Sequence, residues 1–124
     1  MRWKVSSNTV HNVGYHIIWC PKYRRRVLVG EIESRLRELL TEKAADIGVV
    51  IYRMEIMPDH LHLFVKTNPG NAAHYIVQQF KGYTSRIMRQ EFKSLRTKIP
   101  TLWTRSYYLE TIGHISGDDS ASGL

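Results

Sequence analysis

The sequence has little of several features that mark a disulfide-stapled, exported or membrane-bound protein. Its single cysteine, Cys20, excludes an internal disulfide and a zinc site built from cysteines. No apolar run approaches the roughly 18 residues that a membrane span requires. The polar residues that follow the N-terminus predict no export signal. Together these absences predict a soluble cytoplasmic protein with no membrane partner.

Acidic residues are scarce relative to basic ones. The 124 residues include 18 Lys plus Arg against 11 Asp plus Glu, which gives a formal net charge of +7 at pH 7. This length fits one domain and buries enough surface to fold without a disulfide or a metal. The surplus charge favours an anionic partner, of which nucleic acid is the most common. A merely basic protein is the alternative.

The positive charge is concentrated in two segments. Residues 22–26 contain four cations around Tyr23, and residues 81–105 contain seven cations and one acid, Glu91. Residues 31–46 instead mix acids with bases, as a solvated helix does. The clustering therefore predicts a basic groove or patch.

Hydrophobic periodicity predicts four strands and two helices. The strands are predicted at residues 10–20, 49–56, 60–66 and 105–113, the helices at 31–47 and about 72–92, and an irregular segment at 94–102. Gly48 is the expected cap of the first helix. This order is that of the ferredoxin-like βαββαβ arrangement, an α+β fold whose antiparallel sheet carries both helices on one face. One domain is expected over residues 1–116, with a short disordered tail at 117–124.

A His-x-His pattern lies on the third predicted strand. His60 and His62 share one face of this strand, opposite the apolar residues that alternate with them. Two imidazoles at this spacing can converge on one divalent metal if a further ligand is present. Two ordinary surface histidines are the alternative. Asp59 could accept a hydrogen bond from one of the pair or act only as a turn residue.

The chain resembles the single-tyrosine HUH transposases of small insertion sequences, which move DNA as single strands. Four collinear blocks carry the resemblance over about residues 10–115: YHIIWCPKYR (15–24), MEIMPDHLHL (54–63), FKGYTSR (80–86), and LW with SYY (102–108). It implies that His60 and His62 hold Mg²⁺ or Mn²⁺, which polarises the scissile phosphate. It also implies a homodimer that recognises hairpins at the ends of a mobile element and cleaves and rejoins single-stranded DNA through a 5′-phosphotyrosine.

The sequence departs from this family in its last residues. The resemblance implies a nucleophilic tyrosine on a helix after the last strand and a glutamine one turn later, but residues 117–124 contain neither. The alternative is a truncated, catalytically inactive single-stranded DNA-binding relative that retains dimerisation and hairpin recognition. Tyr75, four residues before Gln79, is a weak substitute nucleophile, because the family has none on the second helix.

DNA contacts are predicted from both basic segments. Lysines and arginines would bind phosphates, and two aromatic rings could stack on unpaired bases or simply pack. The predicted DNA-binding residues are Lys22, Tyr23, Arg24, Arg25, Lys81, Arg86 and Trp103. Of the strand neighbours Tyr107 and Tyr108, at least one is expected to pack while the other could face a base. No metal role is predicted for His11, His16, His74 and His114. An unrelated RNA binder is disfavoured, because the strands lack the aromatic signature of such modules.

Overall fold

The computed structural model describes residues 13–114, and within them the predicted order of elements is present. The strands are β1 (Val13–Trp19), β2 (Val50–Met57), β3 (His60–Thr67) and β4 (Tyr108–His114). The helices are α1 (Gly30–Ile47), α2 (Ala73–Glu91) and α3 (Lys93–Thr97), with a short 3-10 turn at Lys22–Arg24. The predicted tail at 117–124 lies outside the described residues.

The four strands form one sheet in the order β2-β3-β1-β4, and every neighbouring pair is antiparallel. This is the predicted ferredoxin-like order, so the α+β prediction is confirmed. Two strands, β1 and β3, lie inside the sheet. The His-x-His pattern begins β3 and therefore lies on an interior strand, directly after the tight turn that leaves β2.

The core lies between the sheet and the two long helices. Along β3 the apolar residues alternate with partly exposed ones, so one face of the sheet is buried and the other is open. The stripes of α1 and α2 cover the buried face. Representative fully buried residues from the sheet and both helices are Ile17, Leu36, Leu39, Leu61, Leu63, Ile76 and Phe80.

Two contacts fix how α1 ends and how it packs against α2. Gly48 has φ +74° and donates its backbone N–H to the carbonyls of Ala44 and Ala45, which confirms the predicted cap. The guanidinium of Arg35 binds both carboxylate oxygens of Glu91 at 2.8 and 3.0 Å. This bidentate pair joins the two helices at the surface. It also lowers the pKa of Glu91, and the hydrogen bonds from Arg35 are the largest cause.

The prediction that residues 94–102 are irregular is wrong in part, because α3 occupies the first of them. Leu95 is fully buried there, and its carbonyl accepts a hydrogen bond from Arg89 at 2.8 Å. Single irregularities also interrupt the pairing of β1 after Gly14 and of β2 after Ile51. Between residues 13 and 114, no helix combines the length and the apolar character needed to cross a bilayer.

Candidate metal and DNA site

The two histidines of the His-x-His pattern lie at the open face of the sheet. Their ring centroids are 5.1 Å apart with the rings nearly perpendicular. Both line a cavity of about 520 Å³. The other walls of this cavity include Ile18 from β1, Tyr108 from β4 and Arg24. Arg24 belongs to the basic segment at residues 22–26, which contains the 3-10 turn and is called the basic turn below. Strand alternation therefore brings both imidazoles into one open cavity, as the sequence predicts.

His60 is held by a short chain of charged groups. Its Nδ1 lies 2.8 Å from Oδ1 of Asp59, and the other carboxylate oxygen accepts a hydrogen bond from Arg24 at 3.0 Å. These contacts lower the pKa of Asp59, with the hydrogen bond to His60 as the largest cause. Asp59 lies in the turn and accepts a hydrogen bond from His60. Of the two alternatives predicted for Asp59, this is the acceptor role.

His62 is held by a residue for which the sequence predicts no role. Its Nδ1 lies 3.0 Å from Nε2 of His16 on β1, and the Nδ1 of His16 lies 3.4 Å from Oε1 of Glu110 on β4. The pKa of His62 is lowered, mainly by burial and then by His16 and His60. The sequence did contain a signal for His16. The ferredoxin-like order places β1 beside β3, and strand alternation puts His16 on the open face of β1.

The two imidazoles have the chemistry of an incomplete metal site. Each Nδ1 has a partner, and neither Nε2 has a hydrogen-bond partner among residues 13–114. No group of three His, Cys, Asp or Glu side chains in that range could hold a metal. Nitrogen donors suit Mn²⁺ better than Mg²⁺, which binds oxygen. His60 and His62 therefore fit a divalent metal whose other positions are taken by phosphate oxygens, water or a ligand elsewhere.

The basic turn has an unusual backbone. Tyr23 and Arg24 have φ of +62° and +51°, values that residues other than glycine rarely adopt. Such strain is retained where the surroundings require it and is common at functional sites. Tyr23 is 67% exposed, with the ammonium of Lys22 5.6 Å from its ring centroid. Arg25 is also exposed. An open aromatic ring among cations suits a stacked base beside its phosphates.

In the second basic segment, residues 81–105, Lys81 makes hydrogen bonds within the protein whereas Arg86 is exposed. Lys81 is half-buried and donates from Nζ to the carbonyls of Thr104 and Ser106 at 2.6 and 3.3 Å, and burial lowers its pKa. Lys81 thus holds the loop that leads into β4. Arg86 is exposed and lies over the ring of Tyr83, with 5.8 Å from the guanidinium carbon to the centroid. Arg86 remains accessible to a phosphate.

The base-stacking prediction for Trp103 is corrected by its burial. Trp103 is 6% exposed and packs edge-to-face on Trp19 at 5.7 Å between centroids. Its Nε1 donates to the hydroxyl of Thr84, which is fully buried, at 3.0 Å. A base cannot reach a ring enclosed in this way, so Trp103 is a core residue.

Two tyrosines lie beside the histidine pair, and a third lies on α2. Tyr107 packs against the core, as expected of at least one of the two, whereas Tyr108 is 53% exposed on the open face. Both line the cavity with the histidine pair. Tyr75 is 43% exposed on α2, which covers the opposite face. The sheet therefore separates Tyr75 from His60 and His62.

Comparisons with known proteins place this geometry in context. A family model described as "Transposase IS200 like" matches residues 9–120. The ISDra2 transposase TnpA of Deinococcus radiodurans is 39% identical over 105 residues, which span 83% of this chain and 75% of that protein. A crystal structure of a protein from D. radiodurans R1, provisionally assigned as a transposase, matches with a TM-score of 0.80 and 29% identity, over 98% of this chain and 91% of that one.

A more distant solved structure shares the fold. It is a REP-associated tyrosine transposase bound to a REP hairpin, with a TM-score of 0.63 and 12% identity. The match covers 99% of this chain and 68% of that protein.

Proposed function

The chain belongs to the IS200-like transposase family, and on this premise we propose that it binds hairpin single-stranded DNA at the ends of its mobile element. We propose further that it cleaves and rejoins this DNA with the help of a divalent metal. The REP hairpin bound to a relative of the same fold makes a hairpin the natural probe. The cytoplasm is the proposed location, and a homodimer is the proposed assembly.

The observation that carries the proposal is the arrangement of the histidine pair. His60 and His62 line one open cavity, and their Nδ1 atoms are engaged by Asp59 and His16. This leaves the Nε2 atoms as the donors for a metal. A metal bound there would stabilise the negative charge that develops on the phosphate oxygens during cleavage.

The residues around the pair have complementary tasks in this proposal. Arg24 lines the cavity 3.0 Å from Asp59 and places positive charge beside the phosphate position. Tyr23 offers an exposed ring for an unpaired base. Lys22, Arg25 and Arg86 remain proposed phosphate contacts outside this cavity, and Arg86 lies on α2, over the opposite face of the sheet. Lys81 supports the site by holding the loop before β4.

The proposed covalent step is a phosphoryl transfer to a tyrosine. The tyrosine oxygen forms a bond to phosphorus while the bond from phosphorus to the 3′ oxygen breaks. The phenol proton passes to solvent, and the leaving 3′ oxygen takes up a proton to become a free 3′-OH. The resemblance implies a helix for this tyrosine after β4, but residues 115–124 contain no tyrosine. Among the tyrosines that the chain does contain, Tyr107 and Tyr108 line the cavity.

The test is a mixture of the protein, a hairpin-bearing single-stranded oligonucleotide and Mn²⁺, resolved on a denaturing gel. A covalent adduct that needs Mn²⁺ and disappears in His62→Ala supports the enzyme. Adduct formation is then measured in Tyr75→Phe, Tyr107→Phe and Tyr108→Phe, and the variant that loses the adduct identifies the nucleophile. An adduct lost only in Tyr75→Phe would show that the sheet does not separate that residue from the reaction.

The second candidate function is DNA binding without cleavage. It is favoured by the sequence of residues 117–124, which contain neither the tyrosine nor the glutamine that the resemblance implies after β4. Hairpin binding with no adduct under any metal would support it. Failure to bind single-stranded DNA even at low salt would contradict both candidates. Light scattering of the free protein tests the dimer separately, with a mass of twice 14.5 kDa expected.

A further inference from the structure

The two histidines of the pair are held by partners of different kinds. His60 donates from Nδ1 to a carboxylate, that of Asp59, at 2.8 Å. His62 instead contacts a second imidazole, with its Nδ1 3.0 Å from Nε2 of His16. His16 in turn contacts Glu110 at 3.4 Å from Nδ1 to Oε1. Glu110, His16 and His62 thus form one chain of contacts across β4, β1 and β3.

With Glu110 ionised and His16 neutral, the order of acceptors and donors along this chain assigns the hydrogen positions. An ionised carboxylate only accepts, so Nδ1 of His16 carries the hydrogen that Glu110 receives. A neutral imidazole has one ring hydrogen, so Nε2 of His16 is an acceptor. His62 must then donate from Nδ1, which leaves the lone pair of His62 on Nε2. The same argument gives His60 a lone pair on Nε2, because Asp59 accepts at its Nδ1.

We propose that His16, held by Glu110, is a positioning residue that sets the tautomer and the ring orientation of His62. The proposal rests on the proposed function of His60 and His62 as metal ligands. Metal-binding histidines commonly donate their other ring N–H to a carboxylate, carbonyl or water, and such partners raise metal affinity. Here Asp59 is the partner of His60, and the imidazole of His16 is the partner of His62.

The packing around His16 restricts the orientation of its ring. The side chain is 16% exposed. Its ring stacks on Phe64 at 4.2 Å and on His62 at 5.2 Å between centroids, with interplanar angles of 10° and 19°. An apolar ring would fill the same space between these neighbours. What histidine adds at this position is the pair of ring nitrogens that link Glu110 to His62.

Three variants separate the hydrogen bond from the packing. His16→Phe keeps an aromatic ring against Phe64 and removes both nitrogens. His16→Gln supplies an amide oxygen that can accept from His62. Tyr52→Phe is the matched control, because its ring lies 6.2 Å from Phe64 and its buried hydroxyl has no partner among the described residues.

The first measurement is the tautomer of His62 in the metal-free protein, from ¹⁵N chemical shifts at about pH 8, where ordinary histidines are neutral. The expected result is the Nδ1–H form in the wild type, in His16→Gln and in Tyr52→Phe, and loss of that form in His16→Phe. The second measurement is the affinity for Mn²⁺ alone. His16→Phe is expected to weaken it by about 10–100-fold, and His16→Gln to recover most of the loss.

The two proposals can fail separately in this experiment. A wild type with the hydrogen of His62 on Nε2, or a tautomer unchanged by His16→Phe, would overturn the positioning role. A tautomer that depends on His16 in a protein that binds no Mn²⁺ would uphold the positioning and overturn the metal-ligand proposal. If His16→Phe does not fold, His16→Leu replaces it as the variant that fills the space against Phe64 without a ring nitrogen, with circular dichroism as the check of folding.

Discussion

Replacing Thr84 by valine tests whether Trp103 belongs to the core or to the DNA surface. The two β-branched side chains have nearly the same shape, so the change removes little besides the hydroxyl. That hydroxyl accepts from Trp103 Nε1 at 3.0 Å and donates to the Phe80 carbonyl at 2.7 Å. In Thr84→Val the indole N–H is buried without an acceptor.

The expected cost is about 1–3 kcal/mol of the free energy of unfolding, which is the penalty for leaving a buried donor unpaired. Urea denaturation measures this cost directly. Each kcal/mol should also lower Tm by roughly 2–8 °C in a domain of this size. Combining Thr84→Val with Trp103→Phe should cost less than the sum of the two single changes, since the shared hydrogen bond is lost once.

DNA binding distinguishes the two roles of Trp103. If it is a core residue, Trp103→Phe lowers stability but leaves hairpin affinity unchanged at temperatures where the variant is folded. A Thr84→Val protein as stable as the wild type would refute the argument from the hydrogen bond. A Trp103→Phe protein of full stability that binds the hairpin poorly would return Trp103 to the DNA surface.

The remaining predictions concern the surface. Tyr23→Ala should weaken single-stranded DNA binding by about 1–3 kcal/mol, the value of one stacked base, with unchanged stability because the ring is 67% exposed; fluorescence anisotropy measures the affinity. Arg25→Gln and Arg86→Gln should each reduce the slope of log affinity against log salt by about 0.7 if each contacts one phosphate of a single strand, and an unchanged slope counts against that contact. Glu91→Gln should destabilise the protein at neutral pH, because the Arg35 contact lowers the pKa of Glu91 in the folded state. A lowered folded pKa gives stability that is present above the unfolded value and lost as pH falls through the folded value. Urea curves of the variant and the wild type should therefore converge in acid, and a constant difference would contradict the pair.

The fold was predictable because the local patterns agree with one another. Alternation along residues 60–66, the helical stripes and the glycine at the end of α1 all point to the same order of elements. The predicted face of His60 and His62 depends only on this alternation. The short helix α3 was missed because five residues carry too little periodicity to identify a helix.

The partners of the histidine pair were harder to predict because they depend on register. His16 lies opposite Phe64 and Glu110 in the two pairings of β1, and no local pattern fixes that alignment. A shift of one residue would turn His16 toward the core. The sequence left Trp103 open between base stacking and packing for a related reason. Its partner Thr84 is on α2, and only the packed structure brings them together.

The pair of histidines is asymmetric in a way that matters for how the site responds to substitution. His60 depends on Asp59, an adjacent residue in the same turn, whose carboxylate is also bound by Arg24. His62 depends on contacts that cross two other strands and end at Glu110, whose side chain is 57% exposed. The support of His60 is local and charged, so it forms with the turn itself. The support of His62 requires the correct register of β1 on both sides, and a change that disturbs this register should therefore affect His62 before it affects His60.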